Sequence, residues 1–411
     1  MRFVIAGAGA AGTSAAQALR EKAPQAEIIV YTNENYPYYG KPRLPEFLAD
    51  EVELEQIYFH NEEWYESNRI DFRKGKAITK IDADKQKIVV GQDELEYDKL
   101  LLACGSRPLE LPIEGIHREG VFNLWSISDA IHMKQFARGI NLVAVIGGGF
   151  LGIETARSLK NLGLDVTLIE IADRLMPRQL DETASRMLKE AIERQGIKIL
   201  LGEVVKTIES KTTKMEQVRF ASGESMQAAM VVIAAGAMPN KEIAKSAGIV
   251  TNKGVIVDKH MRTSSKNIYA AGDVAEFAGK CYGIIPAALE QAKVAASNMI
   301  VEDALDYEGT VPINTLKGFD MDLTCIGTTF IEDETGFKVI EFDSPEEGMY
   351  KKALLRKNRL TGVILIGTRK NIIPFSTIIG KGLEVSSIQD ELLNEEMNLQ
   401  EFIRDSEDYD D

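Results

Sequence analysis

The sequence Gly-x-Gly-x-x-Gly occurs twice in this chain, at Gly7-Ala8-Gly9-Ala10-Ala11-Gly12 and at Gly147-Gly148-Gly149-Phe150-Leu151-Gly152. Each copy follows a short apolar run, Phe3-Val4-Ile5-Ala6 or Leu142-Val143-Ala144-Val145-Ile146, and precedes a stretch with helical character. A strand that turns sharply into a helix leaves unpaired N–H groups and a positive dipole end facing one point. A pyrophosphate fits there if glycine lets the backbone come close. One match is weak evidence. Two in strand–turn–helix context, well separated along the sequence, predict two dinucleotides on one chain.

At 411 residues the chain exceeds one ordinary core and divides into two or three domains. Its net charge of −15 is unevenly placed: residues 384–411 hold eleven acids and one base, Arg404, leaving −5 for the rest. The acidity belongs to a tail, and no basic stripe with interleaved aromatics suggests nucleic-acid binding. No apolar run reaches the ~20 residues of a membrane helix, and the start runs straight into the first glycine motif, so a cytoplasmic protein is expected. Cys104, Cys281 and Cys325 form no close pair, which excludes a Cys-x-x-Cys centre and a local zinc knuckle. The four histidines have no ligand spacing, so no metal site is expected.

Strand, turn, helix and strand fill residues 1–35, ending with Glu27–Tyr31. Segments 76–82, 85–90 and 95–103 read as a meander and a return strand. A second βαβ unit starts near 142, with a helix over 151–162 and the strand Val166–Glu170. Such alternation implies an α/β fold with parallel sheets covered on both faces. Residues 312–367 change to short strands joined by turns, an α+β pattern. In the tail, Ile388, Leu392, Leu393, Met397, Leu399, Phe402 and Ile403 recur at helical spacing behind Ser387, and Asp405 to Asp411 reads as disordered.

Three further stretches complete a pattern that resembles the FAD/NAD(P) pyridine nucleotide–disulfide oxidoreductase family. They are Leu100–Pro108, Val231–Asn240, and Thr263 with Asn267-Ile268-Tyr269-Ala270-Ala271-Gly272-Asp273-Val274. The resemblance implies two Rossmann-like dinucleotide-binding domains plus a C-terminal α+β domain. It assigns 1–109 with 241–305 to FAD, 110–240 to NAD, 306–385 to the third domain and 386–411 to an acidic helical tail. It also implies cofactor contacts from Gly7, Gly9, Ala10, Ala11, Gly12, Thr32, Ala77, Ile78, Ala103, Cys104, Gly105 and Gly272, with Asp273 on the ribityl chain of FAD. Glu34 stands in for the ribose-binding acid, which is displaced from the second strand's end. The second dinucleotide would meet Gly147, Gly149, Phe150, Leu151, Gly152 and Gly236. Glu170 would hold its ribose hydroxyls and repel a 2′-phosphate, favouring NADH, with Arg174 the nearby base that opposes this preference. Glu154 matches a family glutamate near the nicotinamide end.

The cysteine pairs of the family's disulfide reductases and thioredoxin reductases are missing, and so is the single cysteine that coenzyme A disulfide reductases and water-forming NADH oxidases carry near residue 40: Tyr38-Tyr39-Gly40-Lys41-Pro42-Arg43-Leu44-Pro45 has no sulfur. Electrons would then pass directly from flavin to an external acceptor. The stretch from Pro37 to Leu44 resembles that of rubredoxin reductases, NADH:rubredoxin oxidoreductases among them. Glu46 and Trp125 replace a lysine and an arginine common in ferredoxin-linked relatives, leaving Lys41 or Arg43 as the cation beside the flavin. The resemblance thus implies an NADH-dependent FAD reductase with Lys41, Arg43 and Glu154 at its centre. It would serve rubredoxin or another small iron protein, as monomer or homodimer. The run Lys351–Arg359, the only dense basic cluster of the third domain, reads either as a solvated hairpin or as a patch that steers an acidic partner through Lys351 and Lys352. The rival readings are a peroxide-forming NADH oxidase, a ferredoxin reductase component and a flavin-bound NADH sensor.

Overall fold

A computed structural model describes residues 1–210, 216–316, 318–331, 333 and 335–408, with the side chains of 407 and 408 outside the description. The chain divides into two compact units. The first comprises Met1–Arg43, Val52–Leu109 and Ala237–Thr310, and the second Leu44–Glu51, Glu110–Gly236 and Val311–Asp411.

In the first unit, five parallel strands lie in the order Ile268–Ala270, Lys99–Leu102, Arg2–Ala6, Glu27–Tyr31, Asp71–Arg73. Phe3, Val4 and Ile5 are fully buried, as the unbroken apolar run demands of a strand covered on both faces. The helices Ala10–Lys22 and Ile285–Ile300 pack on one another. Buried Ala11, Ala15, Ala16, Ala288, Ala292 and Ala295 supply the small side chains such close packing needs. The meander Lys80–Asp82, Lys87–Val90, Asp93–Glu96 is antiparallel, as expected. Ser106–Pro108 pairs antiparallel with Ala237–Pro239, and Arg107 clasps both carboxylate oxygens of Glu242 at 2.7 and 3.1 Å.

The second unit holds another parallel sheet, ordered Lys198–Leu201, Asp165–Glu170, Leu142–Ile146, Met230–Ile233, Val121–Phe122. Its C-terminal part is an antiparallel sheet ordered Ile313–Leu316, Leu323–Gly327, Arg359–Ile366, Met349–Arg356, Phe337–Ser344. The helix Ile372–Lys381 and the tail cover it, with Leu392, Leu393 and Leu399 buried in that core. The two Rossmann-like sheets and the α+β domain match the fold class read from the sequence.

The tail departs from the single helix that its apolar spacing suggests. Ser386–Glu391 is a 3-10 turn, and a separate α-helix spans Leu399–Asp408. Asn398 heads that helix, accepting from Glu401 N–H at 3.2 Å, so it, not Ser387, marks the start. Asp405 to Asp408, expected to be disordered, complete the helix; 409–411 lie outside the described residues. Among the described residues no helix is long and apolar enough to cross a membrane.

Candidate functional site

The first glycine turn joins the strand Arg2–Ala6 to the helix Ala10–Lys22. Gly7 has φ +117°, and a Cβ there would sit 2.1 Å from the Ala103 carbonyl oxygen; one on Gly12 would sit 1.9 Å from that of Gly7. Those two glycines are required by the fold itself. A Cβ on Gly9, by contrast, would meet nothing within 4 Å. The space over the turn is open, facing N–H groups at the helix start, and that is the shape a pyrophosphate needs.

The residues assigned to FAD converge on the C-terminal ends of the first sheet's strands. Ala103 N–H donates to the Ala6 carbonyl (2.8 Å), and a Cβ on Gly272 would lie 3.0 Å from the Ala11 methyl. Ser106 Oγ donates to the Asp273 carboxylate at 2.7 Å, and Gln291 Oε1 accepts from Gly272 N–H at 2.9 Å. Lys76 N–H donates to the carbonyl of buried Thr32 (2.7 Å), which sets Ala77 and Ile78 beside the strand end. Gly105 has φ +64° with open space where a Cβ would be.

Glu34 lies in the loop after Glu27–Tyr31, where its carboxylate accepts from Tyr39 OH (2.6 Å) and lies 3.8 Å from Lys41 Nζ. Its N–H donates to Thr32 Oγ1 (3.2 Å). Lys41 and Arg43 share one 3-10 turn. Lys41 is thus turned toward Glu34, and Arg43 donates to the Gln56 carbonyl. Tyr39 is a partner for Glu34 that the sequence reading missed, although the two are close in sequence.

The second turn repeats the first. Gly147 has φ +115° with a would-be Cβ 2.4 Å from Ala234 O, Gly152 meets Gly147 O at 1.9 Å, and Gly149 again faces open space. Phe150 and Leu151 open the helix Phe150–Asn161, and Gly236, φ +111°, follows the strand Met230–Ile233 with open space around it. Glu170 ends its strand; its carboxylate accepts from Gly148 N–H (2.6 Å) and Ala172 N–H (2.9 Å). The carboxylate is thereby held against the backbone of the glycine turn.

Glu154 sits one turn into the same helix, half-buried. Burial pushes its carboxyl up to about 7; Arg157 opposes the rise and Glu46 adds to it. Glu46 is carried by the short helix Leu44–Leu48, itself part of the second unit and held within it from two sides. Ser158 Oγ donates to Pro45 O (2.7 Å), and Lys134 donates to Phe47 O (3.1 Å) with its ammonium 4.4 Å from the Phe47 ring. These clamps join residues far apart in the sequence, and no local pattern announces them.

None of the three cysteines is in a disulfide. Burial pushes the Cys104 and Cys325 thiols up to about 12, and raises that of Cys281. Cys104 Sγ donates to the Asn240 carbonyl (3.2 Å), and Asn240 donates back to Cys104 O (2.8 Å). Among the described residues no cluster of histidine, cysteine and carboxylates could hold a metal.

One expectation is overturned. Lys351 and Lys352 do not present a steering patch, because their side chains are only 5% and 9% exposed. Lys351 Nζ lies 2.9 Å from Glu395 and 3.3 Å from Leu393 O, so the tail covers it. Lys352 Nζ lies 3.0 Å from Asp181 and 3.3 Å from Glu341. Buried ammonium groups need such partners.

Residues 1–298 match the family model described as pyridine nucleotide-disulphide oxidoreductase. The chain belongs to that family. Residues 312–383 match a second model, the rubredoxin NAD+ reductase C-terminal domain. FAD and NADH are the cofactors that this membership carries, and both open glycine turns fit them. The chain is 37% identical to the assimilatory nitrate reductase electron transfer subunit of Bacillus subtilis, over 90% of this chain and 48% of that one. It is 32% identical to the NADH-rubredoxin oxidoreductase of Clostridium acetobutylicum, over 89% of this chain and 91% of that one. Thus it spans about half the length of some curated relatives and nearly all of others. The crystal structure of the Clostridium NADH:rubredoxin oxidoreductase superposes with a TM-score of 0.78 at 30% identity, covering 96% of this chain and 99% of that one. The covalent putidaredoxin reductase–putidaredoxin complex gives 0.87 at 26% identity, with 99% of each chain covered.

Proposed function

We propose that this flavoprotein is an NADH-dependent reductase that hands electrons to a small iron protein, with rubredoxin the favoured acceptor. The observation that carries the reading is two open dinucleotide cradles in a chain whose three thiols are unpaired and held protonated. With no sulfur relay, electrons leave from the flavin itself. The match of residues 312–383 to the C-terminal domain model of rubredoxin reductases supports the choice of acceptor.

Bound FAD supplies the redox chemistry, accepting a hydride's two electrons and releasing them one at a time. The protein binds and orients. The first turn and Asp273 hold the FAD, and the turn at Gly147–Gly152 with Glu170 holds NADH by its pyrophosphate and ribose. Lys41, beside Glu34, and Arg43 supply positive charge to the bound FAD, and Glu154 is assigned to the nicotinamide side. A cytoplasmic site of action is part of the proposal, since unpaired thiols suit a reducing compartment.

A second reading keeps this machinery and changes the acceptor to a reductase partner, on the strength of the 37% identity to the nitrate reductase electron transfer subunit. Stopped-flow reoxidation of the NADH-reduced protein against rubredoxin, ferredoxin and oxygen tests the first reading. Rubredoxin reoxidation at least tenfold faster than with air supports the first. Equal rates with all three would refute it.

A further inference from the structure

The loop between Glu170 and the helix Glu182–Arg194 is held from two sides. On one side Met176 N–H donates to Gly148 O (2.9 Å), and Leu175 crowds the place a Gly148 Cβ would take, at 2.8 Å. On the other, the C-terminal domain grips it. Thr329 Oγ1 donates to Gln179 O (2.7 Å), and Tyr350 OH donates to the Asp181 carboxylate (2.7 Å), the same oxygen that pairs with Lys352. Asp181 meanwhile caps the helix through its other oxygen, accepting from Ala184 N–H at 2.9 Å.

Arg174, four residues past Glu170, is the one base in residues 171–177 of this loop. A cation in that position is what a ribose 2′-phosphate would seek. Its guanidinium is spoken for. It lies 4.8 Å from the centre of the Phe330 ring, donates through Nε to Leu180 O (3.2 Å) and through Nη2 to Pro177 O (3.4 Å), and pairs with Asp173 at 3.0 Å. Only 19% of the side chain is exposed.

We propose that Phe330, on the C-terminal domain, is a selectivity residue for the dinucleotide: it holds the Arg174 guanidinium away from the ribose 2′-position. Discrimination against a 2′-phosphate then has two parts, the Glu170 carboxylate that repels it and the withheld cation that would have stabilised its binding. The domain named for the acceptor thus also takes part in choosing the donor. This inference rests on the second glycine turn being the nicotinamide dinucleotide site.

The test is calorimetric binding of NAD+ and NADP+ to the FAD-loaded protein, which needs no turnover. Phe330→Ala and Phe330→Leu should each tighten NADP+ by about fivefold, the worth of one lost cation–π contact, with NAD+ affinity within about twofold of the parent on that same scale. Adding Arg174→Ala to Phe330→Ala should abolish the gain, whereas adding Arg178→Ala should leave it. Unchanged NADP+ affinity in both Phe330 variants, or a gain that survives Arg174→Ala, overturns the proposal. Parent protein that binds neither dinucleotide overturns the site reading, and the proposal falls with it.

Discussion

Replacing Glu154 by glutamine should make the protein more stable above about pH 5, with the full gain at alkaline pH. The carboxyl moves from an ordinary value of 4.5 to about 7 because burial disfavours its charged form, Glu46 adds repulsion and Arg157 recovers only part of the loss. Arg157 is itself shared with Glu51, 3.6 Å away. Between pH 4.5 and 7 the folded chain keeps a proton on Glu154 that the unfolded chain has released. The unfolded state then binds fewer protons, so stability falls as pH rises through this window and levels off above it. The full shift corresponds to about 3 kcal/mol at ~1.4 kcal/mol per pKa unit, and partial solvent screening reduces this to about 2 kcal/mol. Glutamine never ionises. Glu154→Gln should therefore match the parent at pH 4.5–5 and exceed it at pH 8.5 by on the order of 5 °C in Tm. Differential scanning calorimetry of FAD-loaded samples at both pH values provides the measurement. A Tm difference of equal size and sign at the two pH values, or none at pH 8.5, would refute the assignment of burial as the dominant cause.

The glycines separate folding from cofactor retention. Gly12→Ala forces a Cβ to within 1.9 Å of the Gly7 carbonyl and should lower Tm by several degrees, whereas Gly9→Ala meets open space and should leave the apoprotein's Tm unchanged while reducing flavin retention, read from the absorbance of the purified protein. The thiols should be silent: a variant with Ser at positions 104, 281 and 325 should keep at least about half of the parent's acceptor-reduction rate, less than ~0.5 kcal/mol of barrier. A loss of a hundredfold or more in that rate would show that a cysteine carries electrons.

Much of the fold could be read from local pattern. Phe3-Val4-Ile5 and Val143-Ala144-Val145 are runs that only a doubly covered strand can bury, and each is followed at once by glycines whose absent Cβ the backbone of Ala103 or Ala234 requires. The same holds for Glu170, whose place at a strand end puts it over Gly148. What escaped the sequence was decided by partners far along the chain. Lys351 and Lys352 look like a solvated basic run until Glu395 and Asp181, both remote in sequence, close on them. Arg174 looked like a base free to meet a phosphate, and Phe330 comes from a different domain well downstream. The tail's apolar spacing is real, since Leu392, Leu393 and Leu399 are buried, but burial on a sheet can be met by two short helical pieces as well as by one long one.

The edge strand Ile268–Ala270 has a consequence for biosynthesis. It completes a sheet whose central strand begins at Arg2, so the chain must leave the ribosome as far as Ala270 before that layer can close. The sheet spanning Val121 to Ile233 has all of its strands in hand earlier. Nascent chains should therefore gain protection in the nicotinamide half before the flavin half, and yellow colour should mark the end of maturation, not its beginning.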